Sequence, residues 1–410
     1  MEMIYSVNMA SIDKSPALVA GFLQSPLSDW ALPSLLSFFY LLCTGSLFFD
    51  VVHYMLHRTN KSSHPLLRSL ARIHRFHHLY FTRHMKFDDK YLWQNLVQAL
   101  PLELGLQILG TALGYVFATL VTPTGLVWIT QNHLWSIISI QIFRTVFVIL
   151  ASGRDSNHLV YKTAPKDPNW IFAGPEFHAL HHVYPDRYIG SFIKLFDWVL
   201  GTAYSFRGKR FVITGGSGAF GQAIVAELER EGVQRVQDLK FGIDWDHEHF
   251  EKATAELSAC DVLILAHSTE DQDADCNSAV QLVRLFKQNR SFSESSSTLP
   301  EVWYVGSEIE LLPSFGIKQL QRHSRSKRRF LPHARSFFDD PDILYRHIVL
   351  SSFWLPIGTV PLPAGWAARC AMCWIRRGAR YIPAIYPGIA YLNYLKFMHW
   401  VPYAQDTDKL

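Results

Sequence analysis

The chain has 410 residues, which is room for two domains, and a formal net charge of +4. Only 18% of the residues are charged and 14% are aromatic, a composition typical of a protein that faces lipid rather than of an ordinary soluble protein. The five cysteines give no disulfide framework, which excludes a fold held together by cross-links.

The first predicted elements are membrane-spanning helices. Residues 30–49 contain no charged side chain, which is enough apolar chain to cross a bilayer once. Residues 91–150 contain only two charged side chains and predict two further crossings, joined by a turn at 122–125. A buried helical hairpin of a soluble protein is the alternative for this region. A short apolar stretch at 17–23 leaves both three and four crossings open.

The charges between the apolar segments predict the side of the membrane on which each loop lies. Residues 58–90 contain eight Lys and Arg against two Asp, whereas residues 1–29 contain one basic side chain. Because loops rich in Lys and Arg tend to stay cytoplasmic, we expect residues 58–90 on that face. No cleavable signal sequence is evident. We expect a multi-pass integral membrane protein with its catalytic side facing the cytoplasm. The membrane would be the endoplasmic reticulum in a eukaryote, or the inner or thylakoid-type membrane in a bacterium.

Three histidine clusters are the least random feature of the sequence. They read HYMLH, HRFHH and HALHH, and they contain His53, His57, His74, His77, His78, His178, His181 and His182. Residues three and four apart share one face of a helix, so each cluster can direct its imidazoles at a common point. Zinc rarely needs more than four protein ligands, whereas two iron ions would use about eight and keep positions open for dioxygen. The number of histidines therefore favours a dinuclear iron site.

These clusters and their flanks resemble the fatty acid hydroxylase superfamily, the membrane diiron proteins that include sterol desaturases, sterol methyl oxidases and plant wax aldehyde decarbonylases. The similarity extends from about Phe48 to Tyr204 and includes Asp50 before the first cluster and Arg58 after it. The resemblance implies that the eight clustered histidines bind two irons. It also implies one further histidine ligand between the second and third clusters.

His158 is the first candidate for that further ligand and His133 is the second, because His133 lies deeper in the apolar region. The resemblance implies a reaction in which two reduced irons activate dioxygen and remove hydrogen from an unactivated C–H bond, which protein side chains alone do not do. The lipid substrate would enter from the bilayer, and a ferredoxin or cytochrome b5 type partner would supply electrons.

We therefore expect an O2-dependent hydroxylase or desaturase of a sterol, fatty acyl or isoprenoid lipid. Two alternatives stay open. An aldehyde-processing lyase akin to the wax decarbonylases would use the same metal ligands. A lipid-sensing or scaffold protein, with a degenerate second domain, would use none of them for catalysis.

The second half of the chain has the pattern of a dinucleotide-binding domain. An apolar run at 211–213 precedes TGGSGAFG and an amphipathic segment, and two more strand-like runs follow at 261–266 and 301–306. Glycines after a strand allow a tight turn and bring amides at a helix N-terminus close to a pyrophosphate. The predicted fold class is thus an α-helical membrane domain of three or four spans at 1–206, followed by an α/β Rossmann-like domain at 207–410.

This half resembles the short-chain dehydrogenase family, and the whole chain resembles fusions of a sterol desaturase with such a dehydrogenase. The resemblance implies that NAD or NADP binds at the fingerprint residues Thr214, Gly215, Gly216, Ser217, Gly218, Phe220 and Gly221. Ser307 and Lys327 match the catalytic serine and lysine, but His323 stands where the family has its tyrosine. An imidazole could replace the phenol as general acid or base. Asp238 and Lys240 are both candidates to contact the ribose.

The C-terminal part of the chain offers three smaller features. The basic run Arg322–Arg335 is interpreted as contacting anionic lipid headgroups, so no nucleic-acid partner is expected. The tail Ile375–Trp400 is rich in aromatic and basic side chains and predicts a segment at the membrane interface. The pair Cys370 and Cys373 lacks a second CxxC, so we interpret it as packing.

Overall fold

The structure is a computed structural model that describes residues 26–121, 129–168, 170–268, 272–291, 298–311, 318–351, 363–384 and 387–405. The chain divides into two compact units. The first unit comprises Met1–His77, Tyr91–Arg154 and Ser191–Ile193, and the second comprises His78–Lys90, Asp155–Gly190 and Lys194–Leu410. One boundary between the units falls inside a single helix, between His77 and His78.

Long helices make up the first unit. They are α1 at Pro26–Arg58, α2 at Pro65–Tyr80, α3 at Leu100–Val121 and α4 at Gln131–Leu150. Among the residues that the structure describes, three segments are long and apolar enough to cross a membrane: Leu32–Lys61, Asp89–Val121 and Gln131–Leu150. They match the three predicted crossings. The stretch at 17–23 and the turn at 122–125 lie outside the described residues.

Glycines let α1 and α3 approach each other closely. A Cβ atom on Gly110 would lie 2.5 Å from the Cβ of Phe48, and one on Gly114 would lie 2.2 Å from the Oγ1 of Thr44. Both distances are below any normal contact, so a larger residue would push the helices apart. Small residues at such crossings are the usual means of tight packing between helices in lipid.

Helix α4 is tied to α3 by a buried polar pair. The Gln141 amide donates to the Thr111 hydroxyl at 2.9 Å. Outward-facing positions of α1, α3 and α4 are apolar and exposed, and they include Leu35, Phe117, Leu120, Phe143, Phe147 and Leu150. An exposed apolar surface of this extent is typical of helices that contact lipid.

The second unit begins with α5 at Pro175–Val183 and α6 at Leu195–Leu200 and continues into a parallel sheet. The strands are β1 at Arg210–Thr214, β2 at Arg235–Leu239, β3 at Val262–Leu265, β4 at Glu301–Ser307, β5 at Leu344–Leu350 and β6 at Tyr381–Ala384. The helices between them are α7 at Ala219–Arg230, α8 at Thr254–Ala259, α9 at Gln272–Ser291, α10 at Lys318–Asp339 and α11 at Ala364–Arg376, and α12 at Pro387–His399 follows β6. Neighbouring strands run in the order β2-β1-β3-β4-β5-β6, and all pairs are parallel.

Both faces of the sheet are covered, because successive side chains of a strand point in opposite directions. In β4, Val302 and Tyr304 join one core with helices α9 and α10, whereas Trp303 and Val305 join the other with α7 and α11. A twisted parallel sheet between two helix layers, with strand order reversing after β1, is the doubly wound arrangement. The predicted fold class is confirmed.

The C-terminal tail differs from its prediction over its first part. Ile375 is fully buried against the sheet, and Ile382 lies within β6, which pairs with β5. Residues 375–384 therefore complete the Rossmann-like core instead of lying at a membrane surface. Exposed apolar side chains are found later, on α12 and beyond it, as at Leu392 and Trp400. Cys370 and Cys373 lie on α11, which packs on the sheet, so their placement fits a packing role.

Candidate metal centre and dinucleotide loop

Three histidines of the first unit bring their Nε2 atoms together. His53 and His57 are one turn apart on α1, and His74 lies on α2. The Nε2 atom of His57 is 3.1 Å from that of His53 and 3.1 Å from that of His74. The His53 and His74 side chains are buried. The three imidazoles therefore direct their nitrogen atoms at one place.

A second set of histidines converges in the second unit. The Nε2 atom of His178 lies 2.9 Å from that of His158 and 3.1 Å from that of His182. Nearby, the Nε2 atoms of His78 and His181 are 3.3 Å apart, and the ring centroids of His78 and His182 are 4.5 Å apart. His158, the first candidate for the additional ligand, thus lies beside two histidines of the third cluster.

The second candidate, His133, has a different place. Its Nδ1 atom accepts from the Thr130 backbone amide at 3.1 Å, and its own amide donates to the Thr130 hydroxyl at 3.4 Å. These two bonds form a capping box at the start of α4. The structure therefore uses the His133 side chain to satisfy backbone groups at a helix end.

Two of the imidazoles whose Nε2 atoms converge have a hydrogen-bond acceptor at their other ring nitrogen, Nδ1. The Nδ1 atom of His158 is 2.6 Å from a carboxylate oxygen of Asp155, and Nδ1 of His181 is 2.9 Å from the Arg187 main-chain oxygen. Metal-binding histidines almost always donate their other ring N–H in this way, because the bond fixes the tautomer and the ring orientation. Our reading of the sequence missed both partners. Asp155 could have been found from its position three residues before His158.

A third acceptor lies beside a histidine of the second cluster. A carboxylate oxygen of Glu103 is 3.5 Å from Nδ1 of His77. Glu103 is one of the two charged side chains in the apolar region 91–150. Charged groups in such segments are costly and usually functional. The sequence signal for Glu103 was therefore present, although nothing in the pattern named His77 as its partner.

The nitrogen–nitrogen distances have a simple explanation. A neutral imidazole has one N–H and one lone pair. Since a main-chain oxygen only accepts, Nδ1 of His181 carries the proton, and Nε2 of the neutral ring then presents a lone pair. The carboxylate of Asp155 imposes the same tautomer on His158. Two nitrogens bound to one ion at about 2.1 Å, at right angles, would lie about 3.0 Å apart. A metal cation is the group that this arrangement accommodates.

The glycine loop lies between β1 and α7, as the sequence predicted. Gly215 has a left-handed φ of 77°, and a Cβ on it would lie 2.7 Å from the Ala266 oxygen. A Cβ on Gly221 would lie 2.2 Å from the Gly215 oxygen. Both positions therefore require glycine. Ser217 and Gly218 are exposed at the start of α7, where amides can face an anion.

The fingerprint residues do not all play the same part. Thr214 is buried, and its hydroxyl is 2.7 Å from Nδ1 of His267, at the end of β3. Phe220 packs against the core between the sheet and α7. The loop's open surface is therefore formed by its backbone and by Ser217 and Gly218.

The two candidates for a ribose contact are separated by the structure. The Gly216 amide donates to a carboxylate oxygen of Asp238 at 3.0 Å, which places this carboxylate at the glycine loop. Lys240 is exposed and its amide donates to Asp244 in a turn. Of the two, Asp238 has the position that a ribose-binding carboxylate requires.

Two of the three predicted catalytic residues of the second domain, Ser307 and Lys327, lie near the end of β4. The Ser307 hydroxyl takes part in a capping box with Glu310, and the Ser307 amide donates to the Glu310 carboxylate at 2.8 Å. The Lys327 ammonium donates to the Val305 main-chain oxygen at 3.0 Å. His323 lies on α10, but its side chain is outside the described part of the structure. Ser307 and Lys327 are therefore brought to one strand end, each with a structural partner.

These features define a class of protein: apolar helices with clusters of converging histidines, together with a Rossmann-like domain. The predicted resemblances are confirmed at that level. No protein family profile matches the chain.

A curated relative is the monoglucosyldiacylglycerol epimerase of Synechocystis sp., which is 26% identical over 241 residues. The aligned region spans 50% of this chain and 56% of that protein. Among solved structures, a short chain dehydrogenase from Burkholderia cenocepacia, in complex with NADP, has 13% identity and a TM-score of 0.35, and covers 48% of this chain and 95% of its own. A short-chain dehydrogenase/reductase from Serratia marcescens has 16% identity and a TM-score of 0.35, and covers 46% and 100%. The fold assignment depends on the strand order and the glycine loop, not on these overlaps.

Proposed function

We propose that the chain is a membrane-bound, iron-dependent oxidoreductase that hydroxylates or desaturates a lipid and carries a dinucleotide-binding second domain. The observation that supports it most is the convergence of histidine Nε2 atoms at the separations of metal ligands, from 2.9 to 3.3 Å. Isolated histidines on apolar helices would not meet nitrogen to nitrogen.

In this proposal the histidines form two ligand sets, one for each ion. The first set is His53, His57 and His74 in the first unit, and the second is His78, His158, His178, His181 and His182 in the second unit. Within each set, every Nε2 atom lies 2.9 to 3.3 Å from the Nε2 atom of another member. Helix α2 contributes to both sets through adjacent turns, since it carries His74 and His78.

Iron is the proposed metal because imidazole ligands suit it and because zinc, which has no redox chemistry, would not activate dioxygen. Two bound irons would supply dioxygen activation, and with it the removal of hydrogen from an unactivated C–H bond. The chain's own residues hold the ions and fix the ring orientations, through Asp155 at His158 and the Arg187 carbonyl at His181.

A lipid substrate is supported by the surroundings of the centre. His53 and His57 lie in a helix that is long and apolar enough to cross a membrane. The curated relative is named for a glycolipid, monoglucosyldiacylglycerol. We therefore propose a multi-pass membrane protein with its metal centre near the cytoplasmic surface. A ferredoxin or cytochrome b5 type partner is the proposed electron donor.

For the second domain we propose dinucleotide binding with a preference for NAD over NADP. The carboxylate of Asp238 lies at the glycine loop, where it can accept from a ribose hydroxyl and would repel a 2′-phosphate. Hydride transfer would require His323 to act as the acid or base in place of tyrosine. The domain would then oxidise or reduce the product of the first, or position its electron donor.

The test is the metal content and the products of the full chain purified in detergent. We expect about two irons per chain, and an oxygen-dependent hydroxylated or desaturated lipid when a reductant is supplied. A shortened hydrocarbon from an aldehyde would assign the lyase alternative. Absence of iron from protein prepared with iron present, or one zinc in its place, would overturn the proposal.

Asp155→Asn should weaken metal binding about tenfold, because the neutral amide holds the His158 ring less firmly than the carboxylate does. The measurement is the chelator concentration that removes half of the metal. Asp244→Asn is the matched control, since that carboxylate accepts from the Lys240 amide in an exposed turn. Equal chelator resistance in the two variants would rule out an orienting role for Asp155.

A further inference from the structure

A cavity lined by charged and apolar side chains lies in the second unit, at the edge of the sheet where strands β1, β4 and β5 begin. Its volume is about 60 Å³. This is space for about two water molecules or for one small oxyanion. Its lining includes Lys209 before β1, Glu301 and Arg346 in β4 and β5, and Tyr184 after α5. The glycine loop follows the other end of β1, so the cavity and the loop lie at opposite edges of the sheet.

On one wall of the cavity, both carboxylate oxygens of Glu301 accept two hydrogen bonds each. Lys209 and Tyr204 donate to one oxygen of Glu301 at 2.9 and 2.7 Å, and Arg346 and Trp303 donate to the other at 2.7 and 2.8 Å. Two cations therefore share this single negative charge. The Tyr204 ring lies against both of them, at 4.1 Å from the Lys209 ammonium and 4.7 Å from the Arg346 guanidinium carbon.

The other wall adds two more cations. The Lys166 ammonium donates to the main-chain oxygens of Phe338 and Asp340, both at 2.9 Å, and the Arg380 guanidinium donates to the Phe338 oxygen. Carbonyl oxygens satisfy hydrogen bonds but carry no full charge. Burial and the neighbouring Arg380 lower the pKa of Lys166 to about 8, against the opposing effect of Asp339 and Asp340.

The lining is thus positive. It contains four cationic side chains, Lys166, Lys209, Arg346 and Arg380, and two acidic ones, Asp167 and Glu301. The Asp167 carboxylate also accepts a hydrogen bond from the Lys194 ammonium at 2.5 Å. Lys194 itself does not line the cavity. Arg346 is buried and the other three cations are half-buried, so an added anion would be favourable beside them. Tyr188 is a further possible hydroxyl donor in the lining.

We propose that this cavity binds one oxyanion, a phosphate group, between the Lys166–Arg380 wall and the Lys209–Arg346 wall. Its ligand is distinct from a dinucleotide at the glycine loop. The phosphate can belong to a lipid headgroup or be free in solution. Because Leu180 and Tyr184 line the cavity, its occupant would contact the helix that carries His178, His181 and His182.

Binding is tested with the full chain in detergent micelles, titrated with inorganic phosphate and followed by calorimetry and thermal unfolding. We expect saturable binding and a higher unfolding temperature. Lys166→Gln should weaken binding at least tenfold, whereas Lys252→Gln, which removes an exposed cation of the same unit, should leave it unchanged. Tyr188→Phe keeps the ring and serves as a second lining variant, expected to weaken binding by a smaller factor.

Two further experiments test where the phosphate binds and whether it belongs to a lipid headgroup or is free in solution. Gly221→Ala, which disrupts the glycine loop, should leave phosphate binding intact. Phosphatidate in the micelles should compete with inorganic phosphate if the ligand is a lipid headgroup, and should not compete if the ligand is free phosphate. Binding that Lys166→Gln and Tyr188→Phe leave unchanged, or that Gly221→Ala abolishes, overturns the proposal, as does the absence of saturable binding.

Proton uptake gives an independent readout. An anion beside Lys166 favours the charged ammonium and raises its pKa from about 8. At pH 8 phosphate binding should therefore take up protons, seen as a dependence of the binding heat on the buffer's ionisation enthalpy. This dependence should decrease in Lys166→Gln. The same uptake in both proteins would contradict a phosphate beside Lys166.

Discussion

Replacing His178 with alanine should release about one metal ion per chain and lower oxygen-dependent product formation at least about 100-fold. The Nε2 atom of His178 lies 2.9 Å from that of His158 and 3.1 Å from that of His182, so the substitution removes a nitrogen that contacts two others of its set. Losing a residue that merely orients a metal ligand costs about 10–100-fold. Loss of the ligand itself should cost more.

The measurement is metal analysis of purified variant and parent, together with the yield of oxidised lipid. His84→Ala is the matched control, because His84 is exposed in a loop and its ring nitrogen accepts from Arg83. It should keep both metal and product. If His178→Ala retained the full metal content, the second ligand set would be wrong. If both variants lost metal equally, the loss would reflect the handling of the protein and not the site.

The histidine clusters could be recognised from sequence because their spacing is local. His53 and His57 are one helical turn apart, so the geometry of one helix already directs both rings to the same side. His158 was harder to recognise as a metal ligand from sequence, because a single histidine has no spacing pattern to interpret. It was preferred to His133 only for its position outside the apolar region. The structure gives each a clear partner, Asp155 for one and Thr130 for the other.

The groups behind the metal ligands were not predictable in the same way. Glu103 and His77 are 26 residues apart in the chain and meet only through packing of their helices. The Arg187 carbonyl that holds His181 is a main-chain atom, so no residue type at position 187 signals it. Such contacts depend on tertiary structure.

The Rossmann-like fold was predictable because its turn chemistry is local. Gly215 and Gly221 are required by backbone contacts within one loop. The tail prediction is wrong over 375–384 because Tyr, Trp, Lys and Arg side chains have both apolar and polar parts, so their presence alone does not distinguish a membrane interface from a half-buried protein surface. Only the pairing of Ile382 with Ile348 in β5 distinguishes the two. The cavity at the strand starts could not be inferred, since its charges come from five separate chain segments.

Replacing Gly221 with alanine should weaken NADH binding at least about 100-fold while leaving the metal content of the first domain unchanged. The added Cβ would lie 2.2 Å from the Gly215 oxygen and 2.8 Å from the Gly216 Cα. Both are backbone atoms, so the loop must open, and its amides then no longer face a pyrophosphate together. Binding is measured by the change in NADH fluorescence on titration with the protein.

Gly365→Ala is the matched control in the same domain. The atom nearest to its added Cβ is Nη1 of the flexible Arg369 side chain, at 3.6 Å, which is an ordinary contact. The parent and this control should both bind NADH more tightly than NADPH, because the carboxylate of Asp238 at the loop would oppose a 2′-phosphate. Unchanged affinity in Gly221→Ala would show that the dinucleotide, if bound, lies elsewhere. Tighter binding of NADPH would remove Asp238 as the ribose contact.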